Sequence, residues 1–373
     1  MRHILFISHA RGAHGAETVM VQALRACLAH GARVTLVVPS VVPDEGLEAM
    51  VANLPNLTIL CLPYRAIGGH ALRTPWVRAF NRSTLRRLIV YVRREAVDTI
   101  YSNTSITILG ADLARRTRVR HIWHWHETAD AMFGFHPSLR PLYRRLTKTA
   151  HILFISRQQK QGWEACLNIP IDGSVLYNPI KQIHPMKSED SAPHDDICIG
   201  FIGHFEARKN IPLLVHTFER LHVHTPNTSL WLCGARGAAD IRFVEQMTTL
   251  REPILEVLPQ TADVAKFYNS IDILVLPSWR ETMPLVVLEA MQAGVCVLQT
   301  NQSGMPQIMQ DGDTCLFINP YEPDSLRTAL IRCMDTSYRT EIATHGQRFV
   351  QQWMATHNYA QQIIARFNQC FKH

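Results

Sequence analysis

The segment DILVLPSWRETMPLVVLEAMQAGVCVLQT, residues 272–300, decides how this chain is built. Its two ends, 272–277 and 295–300, are short aliphatic runs of the length of a buried strand. Between them, Leu285 to Met291 is apolar, opened by Pro284 and closed by Gly294. Proline suits the first turn of a helix and glycine its end, which places a helix over about 284–293. Strand, helix and strand in so short a stretch form the unit that joins parallel strands. Two carboxylates remain to be explained. Glu281 falls in the loop before the helix and Glu289 inside it; at helical rise they would stand ~12 Å apart. A general acid/base couple needs roughly 5 to 10 Å. The separation suits a grip on two parts of one elongated ligand, because a carboxylate accepts from two vicinal hydroxyls at once. For Glu289 the alternative is the polar face of an amphipathic helix.

The same alternation runs through the chain. Apolar runs at 3–8, 33–38, 57–62, 98–102, 120–125, 151–156 and 174–178 form one set, and those at 197–203, 229–234, 254–258, 272–277, 295–300 and 315–318 a second. Between them KQIHPMKSEDSAPHDD, 181–196, is polar, aperiodic and holds two prolines, which marks a linker. The expected architecture is α/β: two Rossmann-like, doubly wound parallel-sheet domains, 1–180 and 197–351, facing a central cleft. A C-terminal helix, about 352–373, is expected to pack back on the first domain. The two HILFIS copies, at 3 and 151, are the same solution to a buried strand and not a repeat.

Composition agrees with two cores. The chain has 373 residues, 47% of them hydrophobic, enough for two ordinary domains. No apolar run approaches the roughly 18 residues of a membrane span, and MRHILFISHA is too short in apolar residues for a signal peptide. The expected location is therefore cytoplasmic. Nine cysteines are scattered without a CxxC pair and read as reduced, mostly buried thiols. The net charge of +7 is one-sided: residues 61–160 carry 18 Lys/Arg against 5 Asp/Glu, so the rest is acidic. Such a field favours an anionic partner, an anionic membrane surface or a phosphorylated substrate among them, with a solvated basic face as the alternative. No RNP-like aromatic motif or zinc-finger spacing supports nucleic acid.

Ligands of open α/β sheets bind beyond the C-terminal strand ends. After the first strand, HARGAHGAET places Gly12 and Gly15 where backbone N–H groups can approach an anion at a helix start, or form a plain turn. GHFEARKN follows the first strand of the second set in the same way. Arg208 and Lys209 there stand at a helix entrance, where the helix dipole disfavours cations unless an anion compensates. A phosphate is the natural candidate. In HIWHWHE, His124 and His126 share one side of a strand, but two histidines lack the remaining ligands of a zinc site, so no metal is expected.

PSWRETMPLVVLEAMQAGVCVLQTNQSGMPQIMQDGDTCLFINPYEPDSL resembles the E-x7-E region of family 4 glycosyltransferases, which have the GT-B fold. HGAE, His126-Glu127, VLYNPI and GHFEARKN extend the resemblance over nearly the whole chain, in order. It implies retaining, metal-independent transfer of a sugar from a nucleotide-sugar donor, UDP- or GDP-linked, with no cofactor. Glu281 would hold donor-sugar hydroxyls, Glu289 the ribose, and His126 would stand near the reacting carbon. Gly203, His204, Arg208 and Lys209 would cradle the diphosphate, with Lys209 its counter-charge, helped by amides at Gly15 and, at the helix start around Pro284, at Met283 and Leu285. The implied acceptor is a saccharide or lipid-linked saccharide in surface-polysaccharide assembly (lipopolysaccharide, O-antigen or capsule), at the inner membrane face. Three departures stand out. His204 replaces the usual arginine, Glu281-Thr282-Met283-Pro284 replaces E-G-x-P, and Gln307 replaces the glutamate of G-G-x-x-E. These admit two other readings, an inactive nucleotide-sugar-binding partner subunit and a non-hydrolysing nucleotide-sugar epimerase.

Overall fold

The computed structural model describes residues 2–12, 15–41, 46–67, 74–129, 137–183, 196–261 and 263–369. The chain divides into two compact units, one of Met1–Pro179 with His357–His373 and one of Ile180–Thr356. Every apolar run named above becomes a strand. In the first unit these are β1 (His3–Ile7), β2 (Arg33–Pro39), β3 (Leu57–Leu62), β4 (Thr99–Asn103), β5 (Arg120–Trp125), β6 (His151–Phe154) and β7 (Gly173–Val175). The second holds β8 (Ile197–Ile202), β9 (Thr228–Ala235), β10 (Leu255–Pro259), β11 (Ile273–Leu276), β12 (Cys296–Thr300) and β13 (Leu316–Ile318). The seven-stranded sheet runs β3-β2-β1-β4-β5-β6-β7 and the six-stranded one β10-β9-β8-β11-β12-β13. All pairs are parallel.

Both sheets therefore reverse direction of winding once, between β1 and β4 in the first and between β8 and β11 in the second. At such a point the loops leaving two adjacent strands diverge to opposite faces and leave a crevice at the strand ends. The strands are uninterrupted apolar runs because helices cover both faces. In the first unit, Val19, Met20 and Leu24 of the helix Gly15–Ala29 pack with Ile4, Phe6, Val34 and Leu36. On the other face, Leu88 and Val92 meet Leu5, Ile7 and Ile100.

The C-terminal segment differs from one continuous helix. A 21-residue helix, Thr336–Thr356, belongs to the second unit, and a separate helix, Tyr359–Gln369, buries Tyr359, Ile363 and Phe367 in the first unit's core. Asn358 makes the restart, its Oδ1 accepting from the Gln361 N–H at 3.0 Å. The linker stretch 184–195 and Cys370 lie outside the described residues. Residues 181 and 183 are held within the second unit: Gln292 Nε2 donates to the Lys181 carbonyl at 2.9 Å and Gln292 Oε1 accepts from the Ile183 N–H at 3.0 Å. Among the described residues no helix is long and apolar enough to cross a membrane.

One glycine fixes how the strand ends of the second sheet meet. Gly234, φ +126°, ends β9 against the backbone that leaves β8, and a Cβ there would lie 2.2 Å from the Gly203 carbonyl oxygen. Both the left-handed backbone and the contact exclude a side chain. Gly234→Ala should cost about 3 kcal/mol in urea unfolding, whereas unchanged stability would mean that the 203–209 loop is free to shift.

Candidate active site

The crevice of the second sheet collects charge from both of its strands. After β8 the chain passes Gly203 and His204 into a single turn, Ala207–Lys209, and then the helix Ile211–His222. After β11 it passes Ser278 and Glu281 before the helix Leu285–Gln292. The two loops meet: the Trp279 N–H donates to the Arg208 carbonyl at 2.9 Å. Lys209 Nζ donates to Glu281 Oε1 at 2.6 Å, Ser278 Oγ donates to the same oxygen at 2.8 Å, and Arg208 Nη1 stands 3.3 Å away. Lys209 and Glu281 side chains are 11% and 9% exposed, so this is a nearly buried ion pair. The anion that compensates the cations at the helix entrance is thus supplied by the chain itself.

Burial alone would raise the Glu281 pKa. Lys209, then Arg208, and the hydrogen bonds from Lys209 and Ser278 outweigh it and hold the carboxyl below its usual range. Its backbone is fixed as well, the Glu281 N–H donating to the Gln302 carbonyl and the Gly304 N–H to the Thr282 carbonyl, each at 2.9 Å. His204 is turned toward Glu206, 3.9 Å from Nδ1 to Oε1, and Arg208 Nε donates to Glu206 Oε2 at 2.8 Å.

Pro284 is the N-cap of its helix, one position earlier than expected, and Leu285 is the first helical residue. Met283 is buried beside it. Glu289, one turn into the helix, is not on a solvated face. It is half-buried and accepts from the Tyr268 hydroxyl at 2.9 Å. Burial raises its pKa, with Tyr268 and Lys181 opposing, so the two glutamates are shifted in opposite directions.

The first sheet's crevice carries a second buried acid. Glu17, 1% exposed, sits in the first turn of the helix Gly15–Ala29 and pairs with His9 Nδ1 at 3.0 Å, just beyond β1. Burial opposes charge on His9, but the adjacent Glu17 carboxylate, with Glu127, raises its pKa above the usual imidazole value. From β4, Asn103 bridges: Nδ2 donates to the Ala16 carbonyl at 3.2 Å, and Oδ1 lies 3.0 Å from His126 Nε2. His126 stands next to His124, ring centroids 4.3 Å apart, and His124 Nδ1 lies 2.6 Å from the Tyr101 hydroxyl. Burial, with the charge of His124 added, pushes the His126 pKa well down, so it acts as a neutral imidazole. Glu127 Oε2 accepts from the Ser105 N–H and hydroxyl at 3.0 and 2.6 Å.

The second unit thus unites Gly203, Arg208, Lys209 and Glu281, with Glu289 on the following helix, and the first unit sets His126 near the helix that Gly15 opens. Sequence reading missed Tyr268, His9, Glu17 and Asn103. His9 and Glu17 lie within HARGAHGAET, and Glu17 closes the HGAE motif, but neither was given a role there; Tyr268 and Asn103 carry no local signal.

A model described as Glycosyltransferase Family 4 matches residues 13–182, and one described as Glycosyl transferases group 1 matches 196–336. An uncharacterised glycosyltransferase, MJ1607, of Methanocaldococcus jannaschii is 21% identical over 72% of this chain and 74% of its own. The O-antigen chain mannosyltransferase B of Escherichia coli is 31% identical over 39% and 38%. The capsular polysaccharide biosynthesis glycosyltransferase CapM of Staphylococcus aureus is 22% identical over 48% of each chain. These last two matches span less than half of the relative. Among solved structures, Anabaena HepE in complex with UDP and glucose matches with TM-score 0.77, 17% identity, 99% of this chain and 100% of that one. WaaG, a glycosyltransferase involved in lipopolysaccharide biosynthesis, gives 0.67 and 14% over 99% and 100%. Both are likenesses of fold.

The opposed glutamates have opposite linkage to stability. Glu281, with its folded pKa lowered from 4.5, adds stability that is present above that pH and lost as pH falls through the folded value. Glu289, raised from 4.5, disfavours the folded state at high pH, and the penalty disappears as pH falls through its raised value. In urea unfolding between pH 3 and 8, roughly the window of carboxylate titration, Glu281→Gln should lose stability at neutral pH and flatten the acid limb. Glu289→Gln, which still accepts from Tyr268, should match or exceed the parent at neutral pH. Lys209→Met, stranding the buried Glu281, should cost about 3 to 5 kcal/mol. Equal pH profiles for the two glutamine variants would contradict the assignment of environments.

Proposed function

Because the chain belongs to glycosyltransferase family 4, we propose that it is a retaining enzyme, moving a sugar from a UDP- or GDP-linked donor to a lipid-linked saccharide in surface-polysaccharide assembly. The observation that carries this reading is the buried Lys209–Glu281 pair at the switch point of the second sheet, with Arg208 and Ser278 around it. A nucleotide sugar offers what that arrangement recognises: a diphosphate for the cations and ring hydroxyls for the carboxylate. Glu289, on the next helix and accepting from the Tyr268 hydroxyl, would accept from the ribose. HepE, solved with UDP and with UDP-glucose, and relatives named for capsule and O-antigen synthesis support the donor and pathway class.

The proposed step breaks the bond between the anomeric carbon and the diphosphate oxygen and forms one to the acceptor hydroxyl on the same face. The acceptor proton passes to the departing phosphate oxygen, so no protein nucleophile is required. Lys209, helped by Arg208, stabilises the charge that develops on that oxygen. In the first unit, neutral His126 is held by Asn103. No divalent ion is assigned a role.

Donor binding should weaken by ~1–3 kcal/mol in Glu289→Gln, a lost charged hydrogen bond, while turnover is depressed chiefly in Glu281→Gln, because Glu281 orients the reacting ring. Calorimetry and turnover with a UDP- and GDP-sugar panel, with and without excess EDTA, check both. Full activity of both variants would sink the site, EDTA-sensitive activity the metal-free chemistry, and donor binding without turnover would favour the partner-subunit reading.

A membrane-facing role rests on the first unit's surface. The helix Arg82–Arg94 exposes Arg82, Arg86, Arg87, Arg93 and Arg94 together with Val90, which is 64% exposed. On the helix Thr74–Phe80, Trp76 is 79% exposed beside Arg78. An exposed tryptophan among arginines suits the headgroup zone of an anionic bilayer. Sedimentation with phosphatidylglycerol vesicles should be strong at low salt and fade beyond physiological strength, where the screening length is about 8 Å. Trp76→Ala with Arg86→Ser should weaken it further, and binding indifferent to lipid charge would remove this part of the proposal.

A further inference from the structure

The second unit has a polar cavity of about 490 Å³ apart from Glu281 and Glu289, between the segment 306–314 and the helix Thr336–Thr356. Its volume is that of a small-molecule site. The lining combines one aromatic side chain, Phe349, with planar hydrogen-bonding groups: Gln307, Gln310, Asp313, His345 and Arg348. Asp313 and His345 form a pair at 2.7 Å while remaining 43% and 33% exposed, so both can reach an occupant. Phe349 is backed by Trp353, ring centroids 5.8 Å apart at 30°.

Hydrogen bonds and a close backbone approach define the walls. Thr314 Oγ1 donates to the Gln310 carbonyl at 3.1 Å and accepts from the Gln310 N–H at 3.0 Å, closing the turn that makes one wall. The opposite helix approaches at Gly346, where a Cβ would lie 2.8 Å from the Thr314 carbonyl oxygen. Gln347 Nε2 ties that helix to the Gln292 carbonyl at 3.0 Å. A preformed cavity spares its occupant the ordering cost of the walls.

We propose that this cavity is a binding site for a neutral oligosaccharide, separate from the candidate active site. Carbohydrate presents C–H faces that pack on an aromatic ring and vicinal hydroxyls that match amides, carboxylate and guanidinium two at a time. The charge pattern argues against an anion: Asp313 offsets Arg348 within the same lining. A short, hydrogen-bonded path also joins the cavity to the Glu281 loop. Glu281 and Gln302 pair through backbone at 2.9 Å, Thr282 and Gly304 likewise, and the turn Met305–Gln307 leads from there to the cavity wall. A growing saccharide chain held here would stay with the protein between additions.

The test uses the full chain labelled with fluorotryptophan, the Trp353 resonance being assigned from Trp353→Phe. Maltotriose, mannotriose and cellotriose are titrated, with inorganic phosphate and UDP as separate arms. A saturable shift of the Trp353 resonance with at least one trisaccharide is expected, weakened roughly fivefold to tenfold by Arg348→Ala or Gln310→Ala, both at exposed positions. Glu289→Gln should leave it unchanged, which separates this site from any failure of the donor-site reading. No shift with any trisaccharide overturns the proposal. So does a shift with phosphate alone, or a saccharide shift that survives both cavity variants.

Discussion

The second unit is organised around one requirement: Glu281, nearly excluded from water, must not be left without a partner. An isolated buried carboxylate is costly, and the pair with Lys209 recovers that cost only when the geometry is close and the remaining oxygen positions are hydrogen-bonded. Both conditions are met, by Lys209, Ser278 and Arg208. Seventy-two positions separate Lys209 from Glu281 in sequence, so the pair exists because β8 and β11 are adjacent. Anything that alters that adjacency, including the close backbone contact at Gly203 and Gly234, acts on the charges.

Each sheet holds a buried acid at its crevice beside a basic side chain, and the base differs. In the second the partner is a lysine with an arginine beside it. In the first it is His9, whose charge depends on Glu17 and can be lost as pH rises through its raised pKa. Asn103 connects the backbone at the start of the Glu17 helix to His126. In both sheets the segments after the first and fourth strands open at the same crevice, but only in the second does the ion pair span them; His9 and Glu17 both follow β1.

The strands were legible because a parallel strand covered on both faces is written as an unbroken apolar run, and all thirteen such runs are strands. The charges of the second crevice were legible too, Glu281 from its place between strand and helix, and Lys209 with Arg208 from their unfavourable position at a helix entrance. What could not be read was pairing across elements. Tyr268 lies on a short helix before β11, and only the folded unit brings its hydroxyl to Glu289; the polar-face alternative for Glu289 failed for that reason. Helix ends were legible to within a few residues. The restart at Asn358 was not, since the apolar spacing continues across it and the N-cap is the sole interruption.

The charge balance around GHFEARKN bears on what can enter the second crevice. Arg208 and Lys209 are matched by Glu206 and Glu281, and His204 turns toward Glu206 rather than adding a fixed cation. A simple anion arriving there competes with both acids for the same two cations and leaves Glu281 buried with fewer partners. A ligand whose phosphate engaged Lys209 while its hydroxyls donated to Glu281 would strand no charge. With Arg208 and Lys209 each matched by an acid, the loop holds no surplus of fixed positive charge on which a phosphate could bind alone.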